Sequence, residues 1–193
     1  TERAYPNYSG GTEEQRRLAL YWADDPGKTP TPAGHWAWIL TDLLRDRRAT
    51  LDRAASQYAS VGIAQTDQFV VTWQVKYRIN LMRPVTYIQG VLDPQWLPPL
   101  METPPFPEYP SGHSVQSAAA ATVLEGYYGK AHAFDDRTHN DRGWGPQRFT
   151  SFAAAARQAA LSRLYAGIHF RSAIEHGEAM GRCIGELALQ VGR

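Results

Sequence analysis

Cysteine is almost missing from this 193-residue chain: Cys183 is the only one, which excludes an internal disulfide framework and a cysteine-rich zinc site. An excess of either charge is missing too. Twenty basic residues face nineteen acidic ones, a formal net charge of +1, whereas a nucleic-acid or anionic-membrane surface carries a basic excess. No run of 18 apolar residues occurs, so no helix is expected to span a membrane. Lysine is scarce, with three (Lys28, Lys76, Lys130) against seventeen arginines. Arginine's planar fork suits oxyanions, although codon bias also produces such a share. The chain opens on Thr1 rather than methionine, as a processed, trimmed or partial chain does. A signal-peptide pattern is lacking, so the compartment is not legible.

What is present is a globular composition, 43% hydrophobic and 20% charged, at a length that suits one domain. Residues 1–12 are Pro/Gly/Ser-rich and read as an irregular arm. Thr12 caps a short helix over 13–23, and 24–32 (DDPGKTPTP) reads as a loop. Trp36, Ile39, Leu40, Leu43 and Leu44 give helical periodicity to 33–47. A long helical region is expected from about 51 to 82, broken near Gly62 and ended by Pro84. Seven of the 13 prolines fall in 90–110, which reads as a rigid extended loop. Helices are then expected at 112–128, 149–165 and 171–190, with a polar excursion at 129–148 and a break at Gly167. Strand alternation is nearly absent, so the fold class is all-α, a helical bundle forming one domain over 1–193.

Three segments place polar groups in apolar surroundings. In TWQVKYRINLMRP, Lys76 and Arg83 are seven apart and would share a helix face. In EYPSGHS, Ser111, Gly112 and His113 stand at a helix start, where free N–H groups and the helix dipole attract anions. In LSRLYAGIHFRS, Gly167 lets the chain turn His169 back toward Arg163. Taken singly, the three equally suit a solvated basic stripe, a helix cap and a packed core histidine. Together they supply two arginines, a lysine, a serine, a glycine N–H and two histidines, a set suited to an oxyanion. No Asp/Glu cluster with magnesium-ligand spacing accompanies them, which favours a phosphoryl-type site free of divalent metal.

The order Lys76–six residues–Arg83–Pro84, then Pro110–Ser111–Gly112–His113, then Ser162–Arg163–five residues–His169 resembles a three-part signature. It is that of the type 2 phosphatidic acid phosphatase and vanadium-dependent haloperoxidase superfamily. The upstream YWADDPGKTPTPAGHW looks like the soluble bacterial haloperoxidase branch. The resemblance implies a helical bundle in which Lys76, Arg83, Ser111, Gly112 and Arg163 bind the oxyanion. His169 would bond vanadate, or attack phosphate, and His113 would be the general acid–base. Trp73, three before Lys76, and Phe106, five before Ser111, match the aromatic pair of the halide pocket.

The implied cofactor is vanadate, with hydrogen peroxide and halide as reactants. The phosphatase alternative takes a phosphomonoester through a phosphohistidine at His169, and a third alternative is a non-catalytic oxyanion binder. The resemblance also implies a bacterial protein, periplasmic or secreted, with a homodimer admitted and the chain as either the catalytic bundle of a longer protein or a reduced version of one.

The chain departs from the signature at Ala173, where the family's third motif usually has Asp. Glu175, after a shift of helix phase, or a backbone carbonyl would then orient His169. Asp24, Asp25 or Asp67 is a candidate orienting carboxylate for His113. His35 reads as a capping or packing residue, and Cys183 as buried and inert. His132, His139 and His176 read as surface residues, the first two in a stretch, AHAFDDRTHND, with donors for a loosely held metal.

Overall fold

Helix formers dominate the chain between its proline-rich stretches, and residues 12–25, 27, 30–98 and 103–191, which the computed structural model describes, fold accordingly. The expected arm lies outside the described residues apart from Thr12. That residue caps α1 (Glu13–Tyr21) in a reciprocal box with Gln15, and Glu13 and Glu14 complement the dipole in the first turn. α2 (Thr31–Asp46) buries His35, Trp36, Ile39, Leu40, Leu43 and Leu44 along one face.

α3 (Leu51–Ile79) runs without a break through Gly62, which is exposed and has open space around it. A glycine there costs only about 1 kcal/mol of helix propensity, too little to interrupt 29 residues anchored along one side. The helix stops at Asn80, in the left-handed conformation (φ 51°), short of the expected end. Pro84 does not merely terminate it. It opens α4 (Pro84–Val91), since proline at the first helical position loses no internal hydrogen bond.

α5 (Gly112–Tyr128) begins at Ser111, whose Oγ accepts from the Ser114 N–H. The excursion after it contains a small antiparallel pair, β1 (Phe134–Asp136) with β2 (Gln147–Phe149), too short to show alternation in sequence. Phe134 and Phe149 face each other across it and stack at 5.5 Å. α6 (Phe152–Tyr165) and α7 (Arg171–Val191) complete the bundle, separated by Gly167 at φ 72° as the sequence predicts.

α5 is the central helix, packed against α7, α6, α3 and α2, and a run of four alanines, Ala118 to Ala121, lies among its buried residues. Its closest neighbour is α7, which presents Gly177, Gly181 and Gly185 at four-residue intervals. A Cβ at Gly181 would overlap the carbonyl oxygen of Val115, and one at Gly185 would lie 2.6 Å from the Ala119 oxygen. The two backbones therefore meet along a ridge that admits no side chain. The same ridge turns Cys183 outward: it is exposed, which corrects the expectation of a buried thiol.

Gly181→Val is expected to force α7 away from α5 and cost about 2–3 kcal/mol, lowering Tm by roughly 5–10 °C. Gly90→Ala, where the added Cβ meets nothing within 4 Å, is the control and should leave Tm unchanged or slightly raised. Equal thermal unfolding of the two variants would refute the close-contact account.

Candidate functional site

The three sequence segments are carried by different elements and meet at one end of the bundle. Lys76 is on the last turn of α3. Arg83 is the residue that caps α4, so the two cations do not share a helix face as expected; the αL turn at Asn80 separates them. Ser111, Gly112 and His113 form the start of α5, Arg163 is in the last turn of α6, and His169 follows the Gly167 turn.

A cavity of about 780 Å³ opens at this junction, and Arg83, Gly112, His113, Arg163 and His169 line it. Trp73 and Phe106 line it as well, with their rings 5.3 Å apart. Lys76 and Ser111 are fully buried and do not reach the lining. Lys76 Nζ donates to the carbonyls of Pro107 (2.9 Å) and Glu108 (3.0 Å) and lies 5.3 Å from the Phe106 ring centre. Ser111 Oγ accepts from the Ser114 hydroxyl at 2.9 Å.

The hydrogen bonds of His169 determine its tautomer. Arg83 Nη1 lies 3.0 Å from Nε2, and a guanidinium only donates, so Nε2 offers its lone pair and Nδ1 carries the proton. Nδ1 donates to Glu108 Oε1 at 2.7 Å, and the same oxygen accepts from the Phe170 N–H at 2.9 Å. Glu108 is therefore the carboxylate that orients His169. Neither Glu175, which is exposed, nor a backbone carbonyl does so. Ala173 is wholly buried at the α5–α7 contact, where its carbonyl accepts from the Ser111 N–H at 3.0 Å. The sequence reading missed Glu108; its one signal is an acidic residue among prolines three positions before Ser111.

Arg83 also donates from Nε to the Phe106 carbonyl and from Nη1 to the Ile168 carbonyl, both at 2.9 Å. Its Nη2 is buried and has no partner among the described residues. Arg163 donates from Nη2 to the Ala19 carbonyl at 2.6 Å and from Nε to Ser162 Oγ at 2.9 Å. The His113 Nε2 is buried without a partner among the described residues.

Electrostatics give the site a common character. Burial, reinforced by Arg83, pushes Lys76 down to about 7. Burial lowers Arg83 and Arg163 to about 10 each. Burial and then Arg163 lower His113 to about 3, against the opposing charge of Asp24. His169 is held well below its ordinary value by burial and then by Arg83 and Lys76. Burial raises Glu108, with the Phe170 N–H, Arg83 and Lys76 opposing. Every base here is penalised for carrying charge, and a bound anion relieves that penalty for all of them.

The fit to an oxyanion follows from three features. Arg83 Nη2 and His113 Nε2 are buried polar atoms awaiting a partner. The Cβ that Gly112 lacks would meet only the Trp73 ring, at 3.8–3.9 Å, so the glycine leaves its N–H approachable from the cavity. The donors that Arg83, Arg163 and Gly112 bring to the lining are guanidinium and backbone N–H groups, which suit an anion rather than a divalent cation.

Behind the cavity wall lies a buried network that sequence did not reveal. His35 is bracketed by two carboxylates, with Nδ1 3.0 Å from Asp24 and Nε2 2.7 Å from Asp136 Oδ2. Asp136 also accepts from the Tyr21 hydroxyl at 2.7 Å. His35 is indeed packed, stacked on Trp22 at 4.4 Å, but it is also ion-paired. His139 is buried rather than on the surface; its Nε2 lies 3.0 Å from the Tyr21 carbonyl and 3.5 Å from Asp24. His176 is exposed and His132 partly so. Asp24 lines the cavity and acts on His113 through its charge, whereas Asp67 is exposed and Asp25 sits on the lining beside Asp24.

Residues 89–193 match the family described as the VCPO second helical-bundle domain. The vanadium chloroperoxidase of Curvularia inaequalis is 28% identical over 138 residues, 59% of this chain but 23% of that protein. The crystal structure of the first bacterial vanadium-dependent iodoperoxidase superposes with a TM-score of 0.87 at 39% identity, covering 94% of this chain and 44% of its own. A holo-type bacterial vanadium-dependent chloroperoxidase shares the fold, with a TM-score of 0.76 at 18% identity over 95% of this chain and 44% of that one. The chain thus spans under half the length of these relatives. No helix among the described residues is long and apolar enough to cross a membrane.

Burial opposes charge on His35, but hydrogen bonds to Asp136 and Asp24 hold it up at about 9. A raised pKa contributes stability that is complete below about 6.5 and is lost as pH rises through 9. Replacing His35 by Asn should therefore destabilise the fold by roughly 3 kcal/mol near pH 6, and by progressively less toward pH 9.5. Urea denaturation of both proteins across that range measures the difference; a gap independent of pH would contradict a charged His35.

Proposed function

We propose that this chain, which belongs to the VCPO second helical-bundle domain family, carries the oxyanion site of a vanadium-dependent haloperoxidase-type enzyme that oxidises halide with hydrogen peroxide. The observation that carries it is the His169 tautomer: Glu108 holds the proton on Nδ1, so the Nε2 lone pair faces a cavity rimmed by buried donors.

In this reading residues 12–191 act as one helical catalytic unit. Nε2 of His169 would bond vanadium, and the Arg83 hydrogen bond it now receives would be replaced by one from Arg83 to a vanadate oxygen. Arg83, Arg163 and the Gly112 N–H would hold the oxygens from the lining. Lys76 and Ser111 would support them from behind, Lys76 with the third N–H that its two carbonyl bonds leave over. When bound, vanadate supplies Lewis-acid activation of peroxide toward attack by halide.

His113, with a neutral ring and an unpaired Nε2, can take a proton from peroxide and return one to a leaving oxygen. Trp73 and Phe106 would flank the halide, whose charge the buried Lys76 and Arg83 offset from beyond the Phe106 ring. Iodide is the first halide to try, because the iodoperoxidase is the 39%-identical relative. Phosphate would meet the same donors, so phosphomonoester hydrolysis through His169 is the alternative that the assay must separate.

The purified chain with vanadate and peroxide is expected to form triiodide from iodide and to halogenate monochlorodimedone with bromide. His169→Ala should lower both rates by about a thousandfold or more, the scale of removing a group that acts in the reaction itself. No turnover with iodide, bromide or chloride would overturn the proposal. Hydrolysis of p-nitrophenyl phosphate that His169→Ala abolishes would favour the phosphatase.

Gly112→Ala tests the cradle separately. Its new Cβ meets no protein atom closer than 3.8 Å, so Tm should hold while vanadate affinity falls by about tenfold or more, roughly 1.4 kcal/mol. Isothermal titration with vanadate measures it, and unchanged affinity would remove Gly112 from the anion site.

A further inference from the structure

The polar stretch between α5 and α6 carries metal donors, and the oxyanion cavity takes none of them into its lining. His139 is buried there, and the buried Asp136 stands three positions before it. Both meet residues from the other end of the chain. Tyr21 ends α1, Asp24 lies in the turn after it, and His35 is in the second turn of α2.

The ligand atoms of this cluster converge. The Asp24 carboxylate lies 3.0 Å from His35 Nδ1 and 3.5 Å from His139 Nε2, and the two imidazole rings stand 4.9 Å apart at 80°. One atom from each of Asp24, His35 and His139 falls within 4.8 Å of the other two. The Tyr21 carbonyl, 3.0 Å from His139 Nε2, adds a fourth ligand atom. Zinc takes nitrogen and oxygen at about 2.0–2.1 Å in tetrahedral geometry, which puts neighbouring ligand atoms about 3.3–3.4 Å apart. The observed separations of 3.0, 3.0 and 3.5 Å lie within a few tenths of an ångström of that spacing.

The atoms behind the ligands suit a metal as well. His35 Nε2 donates to Asp136 Oδ2 at 2.7 Å, which leaves Nδ1 as the nitrogen that would bind; a carboxylate behind a histidine is the usual support of a metal-bound imidazole. Asp136 is itself fixed by the Tyr21 hydroxyl and the Thr138 N–H. Within the cluster two carboxylates face one doubly protonated ring, and a divalent cation in place of the Nδ1 proton brings the formal charge to zero. His139 Nδ1 is buried without a partner among the described residues, so no hydrogen bond there opposes moving the ring proton onto it. Asp24 lines the cavity, which gives an ion a way in from solvent.

We propose that Asp24, His35 and His139, with the Tyr21 carbonyl, form a binding site for a zinc-type divalent cation behind the cavity wall, and that Asp136 supports His35. On binding, the His35 Nδ1 proton leaves to solvent and the His139 proton passes from Nε2 to Nδ1; nothing is oxidised or reduced. The ion ties the end of α1, α2 and the stretch after α5 together, and it fixes the turn that carries Asp24 onto the cavity lining. Two imidazoles among the ligands select against magnesium and calcium. The site does not depend on halide oxidation and is tested by binding alone.

Zinc is titrated calorimetrically into the vanadate-free chain after a chelator has removed bound metals. One ion per chain is expected, micromolar or tighter, with Tm raised by about 5–10 °C at a hundredfold excess over Kd. Millimolar magnesium should not compete. Asp136→Asn should weaken binding by about ten- to a hundredfold, and His139→Gln at least as much. Replacing His132 and His176, the partly exposed and the exposed histidine, by alanine together should leave the affinity unchanged. Circular dichroism checks that each variant folds. Zinc-edge X-ray absorption of the wild-type complex needs no variant and should show two imidazoles with only nitrogen and oxygen neighbours. Binding weaker than millimolar, or displacement of zinc by magnesium, overturns the site. So does affinity lost in the His132/His176 double variant, affinity unchanged in folded His139→Gln or Asp136→Asn, or fewer than two imidazoles on the zinc. Zinc bound as expected in a chain that forms no triiodide overturns halide oxidation and leaves the metal site standing.

Discussion

The contact between α5 and α7 is the constraint on which the candidate site depends. Gly177, Gly181 and Gly185 bring the two backbones together so closely that the first residues of α5 lie against the chain entering α7. The Ser111 N–H reaches the Ala173 carbonyl across that contact, and the helix start that presents Gly112 and His113 is thereby referenced to the segment that presents His169. A bulkier interface would move the two histidines apart by ångströms without touching either. Small residues, poor in individual burial energy, are here the means of placing reactive groups.

The second constraint is electrostatic. Lys76, Arg83 and Arg163 are buried at the same end of the bundle, and carbonyl oxygens accept from all three. Among the described residues, Glu108 is the one carboxylate bonded directly to His169, and it is tied to the Phe170 backbone as well. The arrangement compensates the cations enough to fold but leaves Arg83 Nη2 without a partner among the described residues, as the proposed anion site would require.

Much of this was legible in the sequence, and the exceptions have physical causes. Lys76, Arg83, His113 and His169 could be grouped because buried cations and histidines in apolar segments are costly without a shared purpose. The expected placing of Lys76 and Arg83 on one helix face could not be right, because Asn80 enters the αL region, a choice no periodicity announces. Pro84 both stops and starts helices, so α4 stayed hidden behind α3. The burial of His139 depends on Tyr21 and Asp24, more than a hundred positions away, and no local pattern encodes that pairing. Cys183 looked buried because α7 is rich in small residues throughout. Only the glycine ridge shows which of its faces meets α5. Glu108 escaped notice because its partner is 61 residues further along the chain.

Phe106 has a consequence beyond its place on the cavity wall. Its ring lies 5.3 Å from Lys76 Nζ and 5.0 Å from the Arg83 guanidinium carbon, and its own carbonyl accepts from Arg83 Nε. Under the proposed function, one ring would set both the polarisability beside the halide and the surroundings of a cation beside the oxyanion. The carbonyl link to Arg83 belongs to the backbone and survives any substitution at 106, so a change of side chain there would act on Arg83 through the ring contact alone, and the two traits would be coupled through that ring.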